Sequence, residues 1–384
     1  MSLLTRACKA IGLLGLVTFL LLGCGREPSS STIDVSDVEH TPVKRQSIGN
    51  CWIYATSTWA ESLHLSANGE TLNLSESYWT YRDWYDKLIG SSADKIDTSG
   101  SWSGASLIIA RYGYMLEGEF LPDEADIQMS EAQRKAERSI NQSLKSGSLK
   151  ESDSRTPENV MNALDKAFGV DLKSLKPKIH PAEDMKTGVW SNGVARTLKD
   201  EINGGRHGWR SILYPQLYGK DAKESRLVKR QRGRVLNRVL RAVNQRQPVI
   251  MSSMVEFAAL NTDNNATFEY DLYLENGTSE GQGGHLIVLE DYVVDNVPGI
   301  GKIGEGDVSP ELKEKALLGE LEYLVVKNSW GTNRPDRGLS DGYTRFEIKY
   351  LNNPMPFDLE DGETDISKGN WYSPLSSFII PPEF

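Results

Sequence analysis

One cysteine in the body of this 384-residue chain stands where a sulfur nucleophile would have to stand. Cys51 occurs in Gln46-Ser47-Ile48-Gly49-Asn50-Cys51-Trp52 and opens a stretch with Ile53, Trp59 and Leu63 at helical spacing. A helix N-terminus carries partial positive charge and unpaired N–H groups, and both stabilise a thiolate. An imidazolium brought close by the fold would add to this and give a nucleophile charged near neutral pH. The other two cysteines, Cys8 and Cys24, fall in an N-terminal apolar stretch, so no disulfide partner is expected for Cys51.

The chain has five histidines to supply that imidazole. His64 lies on the same expected helix as Cys51, about 20 Å along its axis, which is too far. His40 is local to the first segment, and His180 and His207 fall in a highly charged middle region. His285 follows Gly281-Gln282-Gly283-Gly284 and opens the apolar run Leu286-Ile287-Val288-Leu289. A histidine at the mouth of a buried strand, after small residues, can be held rigidly with its ring toward a groove. Taken alone, such a residue is more often a hydrogen-bonded core histidine. Val325-Val326-Lys327-Asn328-Ser329-Trp330-Gly331 completes the set. The carboxamide oxygen of Asn328 can accept from an imidazole N–H and fix its tautomer, as the third member of a triad does. Trp330 can keep water off that bond. The amide of Gln46 and the backbone N–H of Cys51 can form an oxyanion hole.

These residues need a scaffold of two kinds. Helices are expected from Cys51 to about residue 66, over 78–88 with Ser75 as cap, and over 105–112 ended by Gly113. Helical pieces follow near 130–145, 157–168 and 193–203, then an amphipathic helix over 235–243. Strands are expected over 248–255, 267–274, 285–294, 321–327 and 343–348, where β-branched and aromatic residues concentrate. Helices first and strands later is the α+β arrangement. The basic cluster from Arg226 to Arg234 reads as a solvated helix face.

Residues 1–23 look like a secretion signal, with Arg6 and Lys9, a short apolar run from Ile11, and Leu21-Leu22-Gly23-Cys24 at its end. Cys24 is the expected lipidation site, which would tether the chain to a bacterial membrane through acyl chains. Gly25, rather than Asp, fits sorting to an outer membrane or cell surface in a host that has one. The net charge of −10 argues against nucleic acid as a partner. Asp358, Glu360, Asp361, Glu363 and Asp365 lack the regular spacing of a Ca²⁺ loop and read as solvated. No metal or organic cofactor is expected.

Gln46…Cys51-Trp52, Gly284-His285, Asn328-Ser329-Trp330-Gly331 and the later Gly342-Tyr343 together resemble the papain superfamily of cysteine peptidases. Thr41-Pro42-Val43-Lys44, Leu74-Ser75-Glu76 and Ala110-Arg111-Tyr112-Gly113 extend the resemblance over roughly 40–120 and 235–350. The absence of disulfides and the Ser75-Glu76-Ser77-Tyr78 segment are similar to the bleomycin-hydrolase and aminopeptidase C branch. The resemblance implies a two-lobed fold with a helical lobe, a β-barrel-like lobe and a cleft between them. It implies a tether over 24–41, a helical lobe over 42–119, a charged and mostly helical insertion over 120–235, and a β-rich lobe over 236–384. It further implies peptide-bond hydrolysis through a thioester, with peptide or protein as substrate. Cys51, His285 and Asn328 would be catalytic, Gln46 would serve the oxyanion hole, and Trp330 would shield the triad. Gly100, Trp102, Ser252, Gly283 and Gly284 would contact substrate. Gln46 stands five residues before Cys51, one fewer than the family's usual spacing. Two other readings keep the same residues: an acyl-transferring enzyme of the transglutaminase kind, and a non-catalytic surface-binding lipoprotein on the same fold.

Overall fold

The computed structural model describes residues 38, 40–189, 193–204, 207–279, 281–306, 308–358 and 366–384. Cys8, Cys24 and Glu360 to Asp365 lie outside the described residues. Among the described residues no helix is long and apolar enough to cross a membrane.

The fold is α+β, with two hydrophobic cores. The first is built by α1 (Cys51–Asn68), α2 (Glu76–Leu88), α3 (Trp102–Tyr112), α4 (Glu131–Ser146) and α5 (Pro157–Phe168). Helix α1 is buried nearly all round, as a central helix must be, and carries Trp52, Ile53, Trp59 and Leu63 into that core. Full burial of each such side chain contributes roughly 2–3 kcal/mol. Ser75 caps α2 by accepting from the Tyr78 N–H at 2.9 Å, and Gly113 ends α3. Phe120, Ala136, Ile140, Val160, Leu164 and Phe168 join the same core, which therefore runs through 120–168 without a break.

The second core lies on a nine-stranded sheet. Its strands are β1 (Arg210–Leu213), β2 (Val249–Glu256), β3 (Leu260–Asn261), β4 (Thr267–Phe268), β5 (Gln282–Val297), β6 (Gly301–Ile303), β7 (Glu320–Lys327), β8 (Tyr343–Glu347) and β9 (Leu375–Ile380). They run in the order β1-β9-β2-β5-β7-β8-β4-β3, with β6 added to β5. All pairings are antiparallel except β8 with β4. Helix α6 (Arg226–Asn244) packs Val239, Leu240, Ala242 and Val243 against the sheet. Ile250, Val288 and Ile379 face the first core instead, so the sheet separates the two cores while touching both.

Three elements depart from the sequence reading. The 267–274 strand stops after Phe268, and α7 (Tyr270–Asn276) follows. The carboxylate of Glu347 accepts from the first N–H of α7 at 2.9 Å, a cap supplied by a residue distant in sequence. Residues 193–203 split into a strand over Ala195–Thr197 and a helix over Leu198–Ile202. Helix α6 begins at Arg226, capped by Ser225, well before the apolar periodicity that marks its C-terminal half. Within its basic stretch Arg232 is buried, not solvated. Its guanidinium donates to Pro215 O, Asn352 O, Glu224 Oε1 and Ser373 Oγ and fastens α6 to the neighbouring chain. The final residues dock on α6 and β1, where Arg238 and Arg210 donate to Phe384 O at 2.6 and 3.0 Å.

Candidate active site

Cys51 is the first residue of α1, at the boundary between the two cores. Asn50 precedes it but leaves the helix end uncapped, because its side chain is committed elsewhere. The Asn50 Nδ2 donates to Thr80 Oγ1 and to Gln133 Oε1, both at 2.9 Å. The first N–H groups of α1 are thereby left for other acceptors. The sulfur lies against β5 of the other core, 3.9 Å from Gly284 O, to which the thiol donates. Burial pushes the Cys51 thiol up, while the N–H groups of Leu286, Trp52 and Cys51 itself pull it down.

His285 is the next residue of β5 and is only 4% exposed. Its Nε2 donates to Asn328 Oδ1 at 2.9 Å, which leaves Nδ1 as the ring nitrogen available for proton transfer. Asn328 is itself oriented: its Nδ2 donates to Thr344 Oγ1 at 3.1 Å, and its Oδ1 also accepts from the Ser329 N–H at 2.8 Å. The Trp330 indole is stacked on the imidazole, with centroids 5.1 Å apart and planes at 19°. Burial pushes His285 down to about 4, the Asn328 contact opposes this, and the charge of Arg337 adds to the lowering. The sequence reading expected a thiolate charged at rest. Burial instead works against the charged form of each group here.

Gln46 is placed by a short ladder between residues 44–46 and 329–331. Gln46 N donates to Ser329 O at 2.9 Å, and Gly331 N donates to Lys44 O at 3.2 Å. Gly331 has φ 87°, a conformation that favours glycine, and a Cβ there would crowd the side chains of Gln128 and Arg45. The Ser329 hydroxyl donates to Gln46 Oε1 at 2.6 Å and fixes the carboxamide. One Gln46 N–H donates to Ile48 O at 2.9 Å, leaving its second proton for a developing oxyanion.

The expected substrate-contacting residues divide. Gly100 is exposed, and a Cβ on it would sit 2.2 Å from the Trp52 ring, so its backbone lies directly on the residue after Cys51. Gly283 and Gly284 have open space where a Cβ would be, the nearest atom being Met254 Sδ at 3.9 Å from Gly284. That leaves a bare backbone strip beside the sulfur. Trp102 is half-buried, with its ring edge-on to Trp59 at 4.6 Å. The Ser252 hydroxyl and carbonyl accept from Ser376 Oγ at 3.1 and 2.9 Å. A hollow of about 580 Å³ lined by Arg241, Arg246, Ser309 and Lys313, among others, includes none of these residues.

Sequence reasoning missed three supports. Thr344 orients Asn328 across β7 and β8, and the strand pairing that joins them is not local. Glu256 is fully buried at the end of β2 and accepts from Ser279 N at 3.0 Å and Gln282 Nε2 at 2.6 Å, anchoring the loop that leads to His285. Beneath the Cys51 helix, Lys44 pairs with Glu61 and Glu76, each at 2.7 Å. The other histidines are engaged elsewhere. His64 Nδ1 donates to Lys186 O at 2.9 Å, His180 Nε2 lies 3.1 Å from Glu119, and His40 meets the Tyr343 hydroxyl. Among the described residues no group of three His, Cys, Asp or Glu side chains is arranged to hold a metal ion.

No family model matches this chain, and no curated protein matches it. Among solved structures it is similar to PepW from Lactobacillus rhamnosis, with 13% identity, 92% of this chain and 82% of that one covered, and a TM-score of 0.42. It is similar to xylellain, a cysteine protease from Xylella fastidiosa, with 11% identity, 92% and 88% covered, and a TM-score of 0.35. A Carica candamarcensis cysteine protease in complex with E-64 gives 14% identity, 87% and 92% covered, and a TM-score of 0.29. At these scores the likeness carries nothing about activity.

Proposed function

We propose that the chain is a papain-like cysteine peptidase that cleaves peptide bonds through a thioester on Cys51. The observation that carries this reading is the junction of three distant segments. A helix-terminal thiol sits against the backbone on either side of His285, and the His285 ring is tied to Asn328 at 2.9 Å. His285 takes the thiol proton through Nδ1 as sulfur attacks the carbonyl. The carbonyl oxygen is held by the Cys51 N–H and the Gln46 amide. His285 then protonates the leaving amine and activates the water that hydrolyses the thioester. Asn328 holds the ring in the productive tautomer. The open strip at Gly283 and Gly284, and the Gly100 backbone against Trp52, suit an extended peptide that pairs through its main chain.

Export and lipid anchoring through Cys24 belong to the same proposal. They rest on Leu21-Leu22-Gly23-Cys24 and the apolar run before it. The substrate would then be peptide or protein met outside the cytoplasm.

The test is turnover of a mixed peptide library by the full chain and by Cys51→Ser. The reading expects turnover only with the cysteine, in two folded proteins with the same circular dichroism. Turnover retained by Cys51→Ser would overturn it.

A further inference from the structure

The surroundings of Trp330 carry a charge pattern that the triad does not use. The chain is acidic overall, at −10, yet cations gather here. The Arg337 guanidinium lies 4.5 Å from the Trp330 ring centroid and 4.2 Å from that of Phe257. Arg45 pairs with Trp330 as an antiparallel bridge, and its side-chain carbons lie close over Gly331. The charge of Arg45 is felt at Arg337, and that of Arg337 at His285. Arg334 is neutralised by Asp336, with Nε 2.8 Å from Oδ1. Neither Arg45 nor Arg337 has a carboxylate within ion-pair distance among the described residues, and the one carboxylate whose charge reaches Arg337, Asp336, is bound to Arg334.

Two half-buried guanidinium groups that repel one another, one resting on aromatic faces, are stabilised by an anion between them. Their position says which anion. The leaving amine takes its proton from His285, so it departs past that ring. Trp330 is stacked on the ring, and Arg337 lies on Trp330. Arg45 is the neighbour of Gln46, which borders the scissile carbonyl. Both arginines thus border Trp330, Arg337 on its ring and Arg45 on its backbone, next to the ring past which the leaving segment goes.

We propose that Arg45 and Arg337 form a carboxylate-recognising subsite for the part of the substrate that leaves with the amine, so that peptides acidic just after the scissile bond are preferred. The inference rests on the peptidase reading and adds a substrate class to it. The carboxylate comes from an Asp or Glu side chain or from the substrate's own C-terminus, and the chemistry recognised is the same.

The test measures kcat/KM of the full chain on three peptides that differ only after the scissile bond. One has Glu there and an amidated end, one has Gln and an amidated end, and one has Gln and a free carboxylate close by. The Glu or free-carboxylate peptide is expected to exceed the amidated Gln peptide by about tenfold at low salt. That ratio should shrink as ionic strength rises from roughly 20 to 500 mM. Which of the two exceeds it names the source of the carboxylate. Arg337→Gln and Arg45→Gln should each bring the ratio toward one, and Arg337→Glu should invert it. Equal kcat/KM on all three peptides by the wild-type chain would overturn the inference while leaving the peptidase reading intact. So would a ratio unmoved in both glutamine variants. If no peptide is cleaved faster than by Cys51→Ala, the peptidase reading fails first and this inference falls with it.

Discussion

The His285 Nε2 donates to Asn328 Oδ1 at 2.9 Å, and the Asn328 carboxamide is locked from behind by Thr344 at 3.1 Å. The order of these bonds matters. Thr344 accepts from Nδ2, so Oδ1 must face the imidazole, and the imidazole must carry its proton on Nε2. One hydroxyl two elements away thereby selects the tautomer that leaves Nδ1 to accept from sulfur.

Asn328→Ala removes the orienting acceptor but not the base. Activity is expected to fall roughly ten- to a hundredfold, below the range for loss of a whole acid–base group. The loss should appear in kcat with little change in KM. Thr344→Val should produce a smaller loss of the same kind. It should also destabilise the fold by roughly 1–3 kcal/mol, because the buried Nδ2 loses its acceptor. Chemical denaturation alongside steady-state kinetics separates the two effects. An Asn328→Ala enzyme with unchanged kcat would show that Asn328 does not orient the base.

Gln46 and Ser329 form a second linked pair, joined at 2.6 Å. Gln46→Ala is expected to lower kcat roughly 10²–10³-fold through loss of one oxyanion donor. Ser329→Ala frees the carboxamide without removing it, so its loss should be smaller. The double variant should be no worse than Gln46→Ala alone, because Ser329 acts through Gln46. Additive losses would assign Ser329 a separate role.

The buried His285 makes the fold sensitive to acid. Its pKa falls from the usual 6.5 to about 4 on folding, chiefly through burial. The unfolded chain then binds the extra proton first. The group's contribution to stability is complete above pH 6.5 and is lost as pH falls toward 4. The full effect corresponds to roughly 3 kcal/mol. Urea midpoints measured from pH 7.5 to 4 should fall in the wild-type chain, and less steeply in His285→Gln. Parallel curves would show that His285 is not buried in its neutral form.

Glu117 has the opposite sign. It is buried beside Glu76, and burial pushes its carboxyl up to about 8 from 4.5. The folded state holds this proton more tightly, so the stability it contributes is present below pH 4.5 and lost as pH rises toward 8. Glu117→Gln should flatten that decline. Lys44→Met should act differently, because it strands Glu61 and Glu76 without their shared cation. A loss of roughly 3–5 kcal/mol is expected at neutral pH, seen as a large drop in thermal midpoint. A Lys44→Met chain as stable as the wild type would mean that the pair contributes nothing.

What the sequence reveals here is mostly local. Cys51 at a helix start, Ser75 as a cap and Gly113 as a stop follow from neighbours in the chain, and all three stand in the structure. Segment 267–274 has strand composition but folds as α7 after Phe268, because its cap comes from Glu347 across the sheet. The charged stretch after residue 120 hides its contribution to the first core, since Ala136, Ile140, Val160 and Leu164 are thinly spread through a charged sequence. The charge state of the triad was not legible either. Helix position argues for a thiolate, and only the packing of β5 over the sulfur shows that burial opposes it.

The central claim is that sulfur, imidazole and carboxamide from three distant segments work as one site. Incubating the full chain with an activated peptide ester and mapping the acyl adduct by mass spectrometry tests it directly. The account predicts rapid, stoichiometric acylation of Cys51 that is lost in His285→Ala and slowed in Asn328→Ala. Acylation of Cys51 at the same rate in all three proteins, or ester turnover that survives Cys51→Ala, would contradict it.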